Sequence, residues 1–257
     1  MIRIKTLKKI PFAENMYIAL FKIKRYFEIY QNWIEFKSNF SSSRFLLSRN
    51  DRKFYYFDAT GDTPFDRHYI YHPAWAARIL SKTKPEVHID ISSSLHFCSI
   101  VSAFIPVKFY DYRPAEIHLS NLTSDHADIT SLPFEDNSVP SLSCMHTVEH
   151  IGLGRYGDPL DYDGDLKAIA ELKRVLIYGG NLLFVVPVGI RAKIMFNAHR
   201  IYTYDQILSY FNDFELVNFS LITDNPKFED FIEHADPKLT EQCDYGCGCF
   251  WFRKKVI

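Results

Sequence analysis

The sequence predicts an α/β fold, doubly wound around one mostly parallel sheet, and three observations carry that prediction. After Pro85, short strand-like runs alternate with stretches of helical periodicity, the pattern of strands joined through crossover helices. The run 181–186 (Asn-Leu-Leu-Phe-Val-Val) is strongly apolar, as a strand covered by helices on both faces must be. The composition, 47% hydrophobic and 24% charged over 257 residues, is ordinary for a globular chain. It excludes a disordered, collagenous or low-complexity polypeptide. A formal net charge of -1 argues against a dedicated nucleic-acid binder.

Residues 1–37 carry eight Lys/Arg against Glu14, Glu28 and Glu35, so that segment is +5 and the remainder -6. Between 13 and 36, Met16, Leu20, Ile23, Phe27, Tyr30 and Ile34 recur at helical spacing. Two readings stay open: a basic amphipathic helix resting on an anionic membrane surface, or a terminal helix packed on its own domain or a partner, its basic face in water. Loop signals follow at Ser41-Ser42-Ser43 and Thr60-Gly61-Asp62, then a helix over 72–80 with Pro73 near its start. A boundary is expected at 84/85, with a helical and loop extension over 1–84 and the α/β domain over 85–257. In that domain, strands are expected over 87–91, 107–110, 141–145, 181–186, 215–222 and 248–254. Helices are expected over 95–103, 165–176 and 204–211. The start MIRIKTLKKIPF has no apolar signal-peptide core, and no window approaches 18 uninterrupted apolar residues. A cytoplasmic protein with five reduced cysteines is the expectation, with peripheral contact at the inner membrane through residues 1–37 as the alternative.

In doubly wound sheets, ligands bind at the carboxyl ends of the strands where strand order reverses. The first strand ends near Asp90 and runs into Ser92-Ser93-Ser94; Asp111 closes the second strand 21 residues after Asp90. An acidic residue at about that distance accepts both hydroxyl protons of a nucleoside ribose, although a strand-end Asp also serves as a turn or cap residue. Further on come Asp128-Ile129-Thr130-Ser131-Leu132-Pro133-Phe134, then Met145-His146-Thr147-Val148-Glu149-His150, then Leu172-Lys173-Arg174-Val175-Leu176-Ile177-Tyr178-Gly179-Gly180.

In these ordered stretches the chain resembles the class I S-adenosylmethionine-dependent methyltransferases over residues 87–187. The resemblance implies a seven-stranded Rossmann-like methyltransferase fold, S-adenosylmethionine as cofactor and methyl transfer as activity. More narrowly, HYIYHPAWAARIL, HIDISSS, EHIGLGRYGDPLD, FNAHRIY and YGCGCFWF resemble an uncharacterised bacterial methyltransferase-like family linked to surface-polysaccharide biosynthesis, which implies a small sugar- or phosphate-bearing acceptor. Carried onto this chain, Asp90 would stand beside the methionine moiety with Ser92 and Ser93, Asp111 would hold the ribose, Asp128 the adenine amino group, Ile129 the ring, and His146 would line the floor near the methyl group. The chain departs from the family at its loop, where Ser92 and Ser94 replace two glycines. Only ten glycines occur, none between Gly61 and Gly152, and a left-handed backbone at a serine is strained.

Methyl transfer needs a positioned nucleophile, deprotonated where its pKa requires. His146, Glu149, His150 and His199 are the candidate catalytic groups; for Glu149 and His150 the alternative is anchoring the next helix. Arg155, Tyr156, Asn197 and Arg200 are the candidate acceptor-binding residues, with Asp158 beside them in a glycine-punctuated loop and Arg67 as a further anion clamp. Asp66, Arg67, His68, Tyr69 and His72 either close over the cofactor or form a solvated helix start.

Cys243, Cys247 and Cys249 suggest zinc, but their spacing fits no ribbon or finger. Strand alternation explains Cys247 and Cys249 on one face, so no metal is expected. Asp161-Tyr162-Asp163-Gly164-Asp165 lacks the glycine position and bidentate Glu of a calcium loop; Asp163 capping the next helix is the better account. Besides a methyltransferase, a non-catalytic scaffold of the same fold stays open. A nicotinamide dehydrogenase suffers more from the absent glycines, because a pyrophosphate sits directly on the loop backbone.

Overall fold

The computed structural model describes residues 11–40 and 44–256. The basic residues Arg3, Lys5, Lys8 and Lys9 and the loop serines Ser41, Ser42 and Ser43 lie outside them. The chain divides into two compact units, Met1–Pro64 and Phe65–Ile257.

In the first unit, the expected helix forms as α1 (Pro11–Ser38). Its stripe of Met16, Leu20, Ile23, Phe27 and Ile34 is 52–60% exposed. Phe21 stacks on Phe57 at 5.5 Å, which holds the following segment against the helix. Among the described residues, no helix is long and apolar enough to cross a membrane.

The second unit opens with α2 (Arg67–Thr83), capped by Asp66, whose carboxylate accepts from the Tyr69 N–H. This corrects two expectations. The helix starts before residue 72 because Asp66 caps it, leaving Pro73 inside. The boundary falls at 64/65 rather than 84/85, because α2 buries Trp75, Ala76, Ile79 and Leu80 in a core shared with Phe97, Val101 and Val107. Burial of four such side chains ties a helix to its sheet at roughly 1.5–3 kcal/mol for each large one.

Strands β1 (His88–Ile91), β2 (Val107–Asp111), β3 (Leu122–His126), β4 (Val139–Met145) and β5 (Leu176–Val188) all pair in parallel. Helix α3 (Leu95–Val101) follows β1, α4 (Gly164–Val175) precedes β5, and α5 (Tyr204–Tyr210) follows a small hairpin, β6 (Lys193–Met195) and β7 (His199–Ile201). Three antiparallel pairings complete the sheet with β8 (Phe214–Ile222), β9 (Phe231–Ile232) and β10 (Gly246–Lys254), giving the order β3-β2-β1-β4-β5-β10-β8-β9. Among the described residues the main sheet thus has eight strands, the two-residue β9 at its edge being the addition to the expected seven. Asp163 occupies the first cap position of α4 but makes no side-chain capping bond. Instead its N–H donates to Asp161 Oδ1 at 3.1 Å, which corrects the capping expectation.

The chain winds outward through β1, β2 and β3 and then returns to the other side of β1 as β4. That reversal makes the crevice between the carboxyl ends of β1 and β4 the place where a ligand can enter.

Candidate functional site

Two residues at this crevice hold left-handed backbone: Ser92 just after β1 (φ 56°) and His146 just after β4 (φ 57°). Serine takes the turn that glycine would take. It is held there by its N–H on Tyr110 O at 2.7 Å, and its C=O accepts from Thr147 Oγ1 at 2.8 Å. Non-glycine residues in this region cost about 1–3 kcal/mol each and concentrate at functional sites.

Ser92 lines two adjoining cavities. The smaller, about 140 Å³, is walled by Ala127, Asp128, Ile129, Thr130, Gly152 and Pro159. The larger, about 250 Å³, is walled by Tyr69, Ser93, Asp111, Arg113, His146 and His150. Tyr112, Ile151 and Tyr156 border both. Asp111 and Asp128 each have one carboxylate oxygen engaged locally: Asp111 Oδ1 accepts from Arg113 N at 2.7 Å, and Asp128 Oδ1 from Thr130 N and Oγ1 at 2.8 and 2.7 Å. Their second oxygens are unengaged among the described residues. Asp111, Asp128, Ile129, Ser92, Ser93 and His146 therefore meet around one crevice.

Asp90 does not join them. It is fully buried, accepting from Ser93 N at 3.0 Å and from Ser143 Oγ. Burial raises its pKa to about 6 against those hydrogen bonds. Ser143 also meets His88 Nε2 at 2.8 Å, and His88 Nδ1 meets Ser141 Oγ at 2.8 Å. Because Ser143 gives its proton to Asp90, His88 must donate from Nε2 and accept at Nδ1. Asp90 is thus the end of a proton-ordered chain inside the sheet and lines neither cavity. The other serines are also used structurally: Ser93 Oγ accepts from Met145 N at 3.0 Å, and Ser94 caps α3.

His146 and Glu149 are joined through Nδ1 and Oε1 at 2.7 Å, with His150 Nε2 3.7 Å from the same oxygen. Glu149 is fully buried, which pushes its pKa up, but His146 and His150 outweigh burial and hold it below the usual carboxylate range. His150 Nδ1 donates to Ala198 O at 2.6 Å, fixing the ring, and burial lowers its pKa. His199 faces Tyr245, with ring centroids 4.9 Å apart, and meets the edge of His150 at 6.3 Å. It borders neither cavity, and neither does Asn197, which is exposed in the β6–β7 turn.

Arg200 lines neither of these two cavities. Only 5% exposed, it donates to Ile151 O and Tyr162 O at 2.6 and 2.9 Å and lies 3.4 Å from Asp165. Arg67 is paired with Asp230 at 3.2 Å. Asp158 clasps the glycine loop, accepting from Gly152, Gly154 and Tyr156 N–H groups. These bonds outweigh burial and hold its carboxyl below the usual range. Arg113, which lines the larger cavity, and Arg155 flank the Tyr156 ring at 4.7 and 5.2 Å; Arg155 lines neither cavity and donates to Ala198 O at 3.0 Å.

Sequence reasoning missed Arg113, Thr147, Tyr245 and the place of Cys247. The pair at the start of α2 was noticed without its destination: His68 and Tyr69 stack on the His146 ring at 5.2 and 5.5 Å, and His72 meets it edge-on at 5.1 Å. Burial, then the neighbouring His146, lowers the His68 pKa to about 4. Tyr245 stacks on the other ring of this group, His68, at 5.0 Å. Burial, then Glu149, pushes its phenol up to about 12.

The parallel sheet with an antiparallel β10, the crevice at β1 and β4, and acidic residues after β2 and β3 define a methyltransferase-like α/β protein. A family model described as "Caenorhabditis protein of unknown function, DUF268" matches residues 108–236, half of the chain, and the chain belongs to that family. No curated protein matches the sequence. Among solved structures, similarity extends to a putative methyltransferase from Bacillus halodurans (15% identity over 72% of this chain and 99% of that one, TM-score 0.50). It also extends to a 1,6-didemethyltoxoflavin-N1-methyltransferase from Burkholderia thailandensis with bound 1,6-didemethyltoxoflavin and S-adenosylhomocysteine (11%, 72% and 79%, 0.50). A putative sarcosine dimethylglycine methyltransferase from Galdieria sulphuraria gives 13%, 71% and 84%, and 0.50. At these identities the likeness is one of fold.

Proposed function

We propose that the chain transfers a methyl group from S-adenosylmethionine to a small acceptor bearing a sugar or phosphate. The observation that carries this reading is the pair of adjoining cavities with Asp111 in one and Asp128 in the other, each with one carboxylate oxygen unengaged. A ribose with two hydroxyl donors suits Asp111, and an exocyclic amine suits Asp128, with Ile129 and Pro159 against the base. The serine loop suits this ligand because Ser92 keeps the left-handed turn and no pyrophosphate has to sit on the loop backbone. When bound, S-adenosylmethionine supplies an electrophilic methyl carbon on a positively charged sulfur.

The chain's own contribution is positioning and proton handling. His150, its Nδ1–H committed to Ala198 O, presents Nε2 as the proton acceptor for the acceptor's nucleophilic group. Glu149, 3.7 Å from Nε2, stabilises the imidazolium as the proton arrives. Arg113 in the wall of the larger cavity gives a phosphate-bearing acceptor a cationic partner, with Arg155 across the Tyr156 ring from it. Surface-polysaccharide biosynthesis is the setting that the sequence resemblance implies.

Calorimetric titration with S-adenosylhomocysteine tests the reading. Wild-type protein is expected to bind, and Asp111→Ala and Asp128→Ala to bind at least tenfold more weakly while unfolding at the same denaturant concentration. A ligand that binds only the native state must also raise the melting temperature. Absence of both heat and melting shift with millimolar S-adenosylmethionine or S-adenosylhomocysteine overturns the proposal.

The exposed stripe of α1 and the excess of basic residues over 1–37 support peripheral contact with an anionic lipid surface. Co-sedimentation with phosphatidylserine vesicles is expected for the full chain and not for one lacking residues 1–37. Equal pelleting of the two removes this idea.

A further inference from the structure

We infer that His68, His146 and Cys247 form a zinc site at the floor of the crevice, with a fourth coordination position left for water or an acceptor atom. One potential ligand atom from each lies within 4.8 Å of the others. His146 Nε2 is 3.3 Å from Cys247 Sγ, close to the ligand-to-ligand separation that bond lengths of about 2.0–2.1 Å to nitrogen and 2.3 Å to sulfur impose on a tetrahedral ion. Two imidazoles and a thiolate are a borderline-soft donor set that suits zinc rather than magnesium or calcium.

Three further observations support the site. Glu149 Oε1 accepts from His146 Nδ1 at 2.7 Å, the outer carboxylate that orients a ligating histidine and aims its other nitrogen at the ion. Tyr245 stacks on His68 at 5.0 Å and limits its rotation. Around the group, His72 Nε2 and Glu149 Oε2 are buried without hydrogen-bond partners, an under-satisfaction uncommon in folded proteins and relieved by a nearby cation or its bound water. The ligands come from the start of α2, the end of β4 and the start of β10, so no local spacing in the sequence announces them. Cys243 stands apart, bonded to Thr223 Oγ1 at 3.4 Å.

Binding forms two zinc–nitrogen bonds and one zinc–sulfur bond, and the Cys247 thiol proton leaves to solvent. The site does not depend on the methyltransferase reading, and its test needs no nucleoside. Full-length protein, kept reduced and metal-stripped, is titrated with cobalt(II) and separately analysed for zinc after reconstitution. The expected result is one equivalent of metal, a near-ultraviolet thiolate-to-cobalt charge-transfer band and the visible bands of a tetrahedral ion.

His68 is half-buried at the helix start but outside the apolar core that α2 shares with the sheet, so His68→Ala should fold and bind at least tenfold more weakly. Cys247→Ser should lose the charge-transfer band, whereas Cys243→Ser and Cys249→Ser should retain it. Failure of the wild type to take up a stoichiometric ion, or equal uptake by folded His68→Ala, overturns the site. An S-adenosylhomocysteine titration of the stripped protein reports on the methyltransferase reading separately.

Discussion

Nδ1 of His146 and Oε1 of Glu149 lie 2.7 Å apart, both side chains buried, three residues apart in one turn after β4. The pair fixes the His146 ring and leaves the second carboxylate oxygen, Oε2, without a partner. Removing the carboxylate in Glu149→Ala strands the histidine and is expected to cost about 3–5 kcal/mol. Glu149→Gln keeps an acceptor for Nδ1 but puts an amide where Oε2 has no partner, at about 1–3 kcal/mol. The Glu149 carboxyl is held below its usual pKa in the fold, so its contribution is present above the unfolded value and lost as pH falls through the folded one. Urea unfolding should therefore show the gap between wild type and Glu149→Gln narrowing below pH 4.5. A gap that stays constant into acid would mean that the carboxylate is not ionised in the fold.

Asp90 carries the opposite sign. Its folded pKa of about 6 against 3.8 means that the native state binds more protons between pH 4 and 6, so Asp90 lowers stability as pH rises through that window. Two pKa units correspond to about 3 kcal/mol. His88, lowered to about 3 by burial, works against it: its native state binds fewer protons than the unfolded chain up to about pH 6.5, so stability rises with pH there. Asp90→Asn removes only the first slope. Its amide can donate to Ser143 Oγ, reversing the proton order along Ser143, His88 and Ser141. The variant is expected to gain on wild type by up to about 3 kcal/mol between pH 4 and 7 in urea titrations. A difference that does not change with pH would show Asp90 titrating normally.

Arg200 provides the test of scaffold against clamp. Its guanidinium reaches two carbonyls of the loop that walls the smaller cavity and lies against Asp165, which also accepts from Tyr202 OH at 2.8 Å. Lysine cannot reproduce that fork. Arg200→Lys keeps the charge beside Asp165 but loses the fork, and is expected to cost about 1–3 kcal/mol of stability because buried loop carbonyls lose their donors. Unchanged denaturation with a selective loss of acceptor binding would restore the clamp.

The alternation after Pro85 made the sheet legible, and the acids at 111 and 128 made one side of the crevice legible, because both follow from local spacing. β3 was invisible because, of Leu122–His126, only Leu122 is buried; an edge strand shows no apolar period. β9 is two residues long, and β6 and β7 are three residues each, too short to show a period. The surroundings of Asp90 and Arg200 were not legible for a different reason. Their types suggest ligand contact, while burial and partners 35 to 53 positions away are set by tertiary packing. Cys247 meets His146 across 101 positions, which no motif can encode.

Ser92 is where the sequence departs most from its resemblance, and its backbone can be separated from its side chain. At φ 56° the residue bears roughly 1–2 kcal/mol of left-handed strain. Glycine relieves that strain but loses about 0.4–1 kcal/mol to the freedom of the unfolded chain, together with a weak Oγ bond to Tyr110 O at 3.3 Å. Ser92→Gly should therefore stay within about 1 kcal/mol of wild type and bind S-adenosylhomocysteine at least as tightly, since the side chain it removes borders both cavities. Ser92→Val should do the reverse: a β-branched side chain in this region is a strained outlier, at about 1–3 kcal/mol, and its methyls fill the shared wall. Melting curves and calorimetry on the two variants separate the effects. If Ser92→Gly unfolds well below wild type, the hydroxyl rather than the left-handed turn holds the loop.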